Sequence, residues 1–212
     1  MQFEILFSFS LATLALACSP GPDNIFVLTQ SIVHGRKFGL ATVLGLISGC
    51  IIHTTLLAFG VSAIIKKSDS IFFAIKLFGA IYLLYLAYKV FKSHAFIVLS
   101  EQNVTKKSTK QLFQQGFIMN VLNPKVSIFF LAFFPGFLFS ETLSTVIQFY
   151  VLGFLFMFVS FIVFSLIAIL AASISESIKK HKRISWYLKW IQIVVFVAIA
   201  LFILIENKNV QT

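Results

Sequence analysis

Apolar residues fill this chain in long blocks that show neither a two-residue alternation nor a polar face at helical spacing. A helix rises 1.5 Å per residue, so about 20 apolar residues cross a hydrocarbon core. Six blocks reach that length, at 3–33, 38–65, 71–91, 112–139, 143–173 and 186–206. A membrane β-barrel would instead need short segments alternating apolar and polar residues. Polar breaks separate the blocks: "HGRK", "KKSD", "FSETLS", "SESIKKHKR" and the long "KSHAFIVLSEQNVTKKSTK" between the third and fourth. The pattern predicts an all-α polytopic membrane protein of six transmembrane helices. Residues 1–92 and 111–212 form its halves, joined by a cytoplasmic linker at 93–110.

Two blocks are interrupted from within. The first carries "SPGPDN", in which Pro20 and Pro22 each remove a backbone donor and crowd the preceding turn. The fourth carries Asn123-Pro124-Lys125 inside "GFIMNVLNPKVSIFFLAFFPGF". Non-helical backbone survives at membrane depth only when it faces protein or a water-lined cavity. Aligning Pro22 with Pro124 gives each half three spans, and an odd number inverts the second half relative to the first. The expectation is two inverted three-helix repeats with helices 1 and 4 broken at their Pro motifs, a pattern that marks the binding site of a transporter.

Composition sharpens the class. The chain is 59% apolar, 16% aromatic and 11% charged, with mean hydropathy +0.98. Soluble domains carry about 25% charged residues, so lipid must solvate most of this surface. The net charge of +10 then speaks of orientation, not of nucleic acid. Loops after spans one, three and five hold eleven Lys and Arg, against Lys66, Lys67 and Lys208 on the opposite side. The positive-inside rule places those three loops in the cytoplasm and both termini outside. A cleaved signal ending at Cys18 is disfavoured, because no Lys or Arg precedes Arg36.

Asp23 and Lys125 lie inside long uncharged stretches, where an ionisable group is costly and usually functional. They are expected to meet at the pseudo-twofold centre, as an ion pair or as ligands for the two ends of a zwitterion. A structural salt bridge locking the breaks together is the plainer alternative. A substrate carboxylate suits Lys125 and the free amides of a half-helix; an ammonium suits Asp23.

At these residues the chain resembles a known family. "SPGPDNIFVLTQSIVHGRKFGLATVLGLISG" and "FQQGFIMNVLNPKVSIFFLAFFPGF" look like the two signatures of the LysE/RhtB-type amino-acid exporters. The resemblance implies export of amino acids or related metabolites across the bacterial cytoplasmic (inner) membrane, coupled to protons. Its motif residues map onto Pro20, Gly21, Pro22, Asp23, Asn24, Asn120, Asn123, Pro124 and Lys125. Departures from the pattern are Pro135-Gly136, where members often carry Pro-Gln, the absence of any charge over 142–175, where many members carry an acidic residue near the position of Ser160, and the lack of glycine in the last span.

Other residues weigh less. Ala41, Gly45 and Gly49 form a small-residue stripe on span two, suited to close helix packing. His53 continues the stripe and is a candidate for proton coupling or a plain interhelical hydrogen bond. Thr54 and Thr55 are expected to bond their own helix, and Gln30 and Gln192 to line the pathway or, more plainly, to make helix–helix contacts. No phosphate loop, nucleophile constellation or metal cluster stands out, so the chain reads as a carrier and not an enzyme, requiring no cofactor. Its partners would be a small-molecule substrate, protons and lipid, with a homodimer plausible. The rival readings are a metal or other ion exporter and, further off, a thiol-redox relay through Cys18 and Cys50.

Overall fold

The computed structural model describes residues 3–19, 21–65, 69–92, 107–171, 173–174 and 182–205. Pro20, most of the 93–110 linker and several basic residues used for orientation lie outside them.

The described residues form helices joined by short turns and loops, with no strand. In chain order the helices are α1 (Phe3–Cys18), α2 (Pro22–His34), α3 (Arg36–Leu56), α4 (Ser62–Ile65), α5 (Asp69–Lys92), α6 (Thr109–Val121), α7 (Pro124–Phe133), α8 (Thr145–Ile169) and α9 (Lys182–Ile205). A π-turn at Leu57–Val61 joins α3 to α4, and a 3-10 turn at Phe134–Phe137 ends α7. Four stretches are long and apolar enough to cross a membrane: Arg36–Val61, Phe73–Lys92, Thr145–Ile169 and Trp186–Ile205. The bent pairs α1–α2 and α6–α7 raise the number of spans to six when each pair counts as one. Their axes turn by 59° and 50°, so the first and fourth expected spans are broken helices and not straight rods.

Local sequence explains where the helices start. Pro22 and Pro124 each occupy the first turn of a new helix, where a missing amide costs nothing. The side chain of Asn123 caps α7 by accepting from Lys125 N at 3.0 Å. Ser108 and Gln111 form a reciprocal capping box at α6, and Ser144 caps α8. Gly35 turns α2 into α3 with φ 97°, a left-handed angle that glycine adopts without strain.

The core is aromatic. Phe9, Phe129, Phe130, Phe133, Phe134 and Phe156 are fully or almost fully buried and pack ring on ring, as in the stacked Phe130–Phe134 pair at 4.1 Å. A crowd of large apolar side chains stays exposed on the outer faces, among them Phe59, Phe78, Phe154 and Phe158. Their exposure fits hydrocarbon as the surrounding solvent.

α3 is the central helix, touching α2, α6, α7 and α8. It meets α6 without intervening side chains. A Cβ on Gly45 would run into the backbone carbonyl of Phe113, and one on Gly116 would lie 2.5 Å from Thr42 O. The small-residue stripe therefore lets backbones approach, as its spacing suggests. α6 packs on α3 as α1 packs on α8, so the first arm of each broken helix leans on the long second helix of the other half. The correspondence is incomplete: α2 packs broadly on α3, whereas α7 packs on α5.

Candidate functional site

The candidate site lies where the two breaks face each other. α2 begins at Gly21 with no side-chain cap, so its first amides are uncommitted donors at the positive end of a helix dipole. Asp23 lies in that first turn, where a carboxylate is favoured. Asn24 reaches back across the break and donates from Nδ2 to Ala17 O at 2.7 Å, satisfying a carbonyl left over at the end of α1.

The second break reaches across to the first. Asn123 donates from Nδ2 to Asp23 Oδ2 at 3.0 Å while its Oδ1 caps α7. One amide side chain therefore starts a helix and holds a carboxylate one hundred residues away. Lys125 reciprocates. A Cβ built on Gly21 would lie 3.6 Å from Lys125 Nζ, so the ammonium rests against the glycine backbone of the first break. The same Nζ stands 4.9 Å from the centroid of Phe196 on α9, a cation–π contact.

Asp23 and Lys125 attract each other through space but form no ion pair within 4.0 Å. Each is held by a third group: Asp23 by Asn123, Lys125 by Phe196. Of the two arrangements expected, the structure brings the charges together without closing a salt bridge. Lys125 also sits in the first turn of α7, where the helix dipole opposes a cation.

The other expected residues are placed unevenly. Gly21, Pro22, Asp23 and Asn24 stand at the first break, and Asn123, Pro124 and Lys125 at the second. Asn120 is 4% exposed and engaged by α3. Its backbone carbonyl lies 3.0 Å from His53 Nε2, and its Oδ1 accepts from Cys50 Sγ at 3.7 Å. Because a carbonyl only accepts, His53 carries its proton on Nε2. His53 is also buried and packs on Phe130 at 5.5 Å, so it ties α3 to the end of α6.

Thr54 bonds Cys50 O of its own helix, but Thr55 accepts from Tyr150 OH at 3.2 Å and so links α3 to α8. Gln30 is buried and pairs with His34 one turn on in the same helix. Both cysteines are free, Cys18 exposed and Cys50 buried. Among the described residues no three His, Cys, Asp or Glu side chains gather as a metal site.

Two participants escaped sequence reasoning. Phe196 is one of 27 phenylalanines, and nothing local distinguishes it. Gln148 clamps the α7–α8 connection through bonds to Phe139 N, Ser140 N, Ser140 O and Leu143 O.

With both breaks and the crossed Asp23–Asn123 and Lys125–Gly21 contacts in place, comparison with known proteins decides the lineage. Residues 14–207 match the LysE type translocator family, which takes in both breaks. The chain belongs to that family. It is a multi-pass membrane translocator and not an enzyme. Among its relatives is the homoserine/homoserine lactone efflux protein of Salmonella typhimurium, 32% identical over 183 residues, covering 86% of this chain and 88% of the relative. The protein of the same name from Salmonella typhi matches with the same identity and coverage. No solved structure matches this LysE-type chain.

Proposed function

We propose that this translocator exports amino acids or closely related small metabolites across the bacterial inner membrane, coupled to the proton gradient, with both termini outside. The observation that carries the reading is the crossed arrangement at the breaks. It leaves an ammonium and a carboxylate near one another but unpaired. A zwitterion brings the complement of both. Its carboxylate suits Lys125 and the uncapped amides of α2, and this anion would also relieve a cation standing at the wrong end of α7. Its ammonium suits Asp23. The two relatives named for homoserine and homoserine lactone efflux support a small amino acid or its derivative as cargo. Asp23 and His53 are the proton-coupling candidates, and His53 acts through the end of α6. An inverted relation of the halves, with the site at their shared axis, is supported by the cross-packing of α6 on α3 and α1 on α8.

The test is efflux from cells preloaded with a mixture of dipeptides, comparing wild type with Lys125→Ala at matched membrane abundance. Faster appearance of one or a few amino acids in the medium, lost in the variant, is expected. Equal appearance for every amino acid would overturn the reading. The assigned roles make a finer distinction. Homoserine has a free carboxylate and its lactone does not, so Lys125→Ala should impair homoserine more than the lactone.

A further inference from the structure

Five buried hydroxyls of the described residues find no hydrogen-bond partner: Thr13, Ser19, Ser62, Ser160 and Ser165. Serine and threonine on a buried helix ordinarily bond the carbonyl one turn back. Ser31, Thr42 and Thr54 do so here. A buried hydroxyl that makes no such bond points to a partner of another kind.

Depth singles out one of them. A Cβ on Gly39 of α3 would meet both Ser31 of α2 and Ala168 of α8, which makes Gly39 a common reference level. α8 is antiparallel to α3, since Gly153 abuts Thr54 while Ala168 abuts Gly39. α2 is antiparallel as well, doubling back at Gly35 with Val27 clustered on Val43. Asp23 precedes Ser31 by eight residues, and Ser160 precedes Ala168 by eight. At 1.5 Å per residue both stand about 12 Å from the reference, so they share one level. α2 and α8 are in contact. Ser160 follows Gly153 by seven residues, two helical turns, and so shares the face that Gly153 turns to α3. Ser160 is 2% exposed, and Ser19, fully buried, directly follows α1 four residues before Asp23. α1 also packs on α8.

We propose that Ser160 is a substrate-contacting, specificity-determining residue: its hydroxyl, aided by Ser19, bonds a polar group on the side chain of the exported molecule. The inference rests on the amino-acid reading above and deepens it, naming small amino acids with a hydrogen-bonding side chain as the favoured class. An apolar side chain of equal size leaves the hydroxyl buried and unpaired, and that desolvation is the basis of discrimination.

The test uses purified protein in proteoliposomes loaded with homoserine or norvaline, whose side chains match in size and end in hydroxyl or methyl. The ratio of the two efflux rates is independent of how much protein folds. Ser160→Ala should lower the homoserine-to-norvaline ratio about fivefold, the weight of one neutral hydrogen bond, while Ser160→Thr should keep it. If the alanine variant does not accumulate, Ser160→Cys replaces it with the same fall expected. An unchanged ratio in alanine or cysteine would overturn the role of Ser160 and leave the transport reading standing. Failure of the wild type to move either amino acid would overturn both.

Discussion

Asn123 offers the sharpest perturbation, because its two ends do separable work. Its Oδ1 caps α7, and its Nδ2 holds Asp23. Losing an N-cap costs about 1 kcal/mol. Losing a hydrogen bond to a charged group costs about 2 kcal/mol, taken in mid-range because both residues are half-buried. Asn123→Ala forfeits both, for about 3 kcal/mol. Asn123→Ser keeps a capping oxygen but cannot reach Asp23, so it should cost about 2 kcal/mol. Asn123→Asp keeps the cap and sets a second carboxylate against Asp23, so it should cost more than serine. Paired with Asp23→Ala, Asn123→Ser should show a coupling of about 2 kcal/mol, within the range for residues in contact. The assay is reversible unfolding in mixed micelles by titration with dodecyl sulfate, followed by the fluorescence of Trp186 and Trp190. Equal costs for alanine and serine would refute the capping argument. A coupling under about 0.5 kcal/mol would refute the bridge between the breaks.

Other outcomes follow from the same contacts. Gly45→Ala should destabilise by about 3 kcal/mol, the upper end for overpacking, because its Cβ meets the Phe113 backbone and not a movable side chain. Gly60→Ala, with nothing within 4 Å, should cost nothing in the same micelle titration. Exchanging the charges by Asp23→Lys with Lys125→Asp should not restore efflux or stability, since neither residue relies on the other for a direct contact; full rescue would argue for a structural pair. His53→Leu should lower stability by about 1–3 kcal/mol through the orphaned Asn120 carbonyl, and unaltered unfolding would show that the contact carries no weight. A cysteine introduced at position 106 should resist membrane-impermeant labelling in intact cells, and ready labelling would invert the topology.

Much of the architecture was legible because lipid imposes a simple rule: a segment that crosses must be long, apolar and internally hydrogen-bonded. That rule located the spans to within a few residues, as at 143–173 against Thr145–Ile169. Proline chemistry placed both breaks, since Pro22 and Pro124 can start a helix but not continue one. The cost of charge in hydrocarbon picked out Asp23 and Lys125. The stripe through Gly45 and Gly49 announced a close helix contact from its spacing alone.

Partner choice was another matter. The sequence offered Asp23 and Lys125 as a natural pair, yet Asn123 took the carboxylate and Phe196 the ammonium. Asn120 read as a site residue, and α3 engages it through Cys50 and His53. Thr55 gave its oxygen to Tyr150 of another helix. Such contacts join residues 67 to 100 positions apart, and no local pattern encodes which way a side chain turns across the gap. Length, polarity and proline act within a few residues and are determined by the chain itself. The level at which α2 and α8 share a depth, and the hydroxyl of Ser160 left without a partner there, depend on how deeply α3 lets both helices approach at Gly39. Tertiary packing alone decides that.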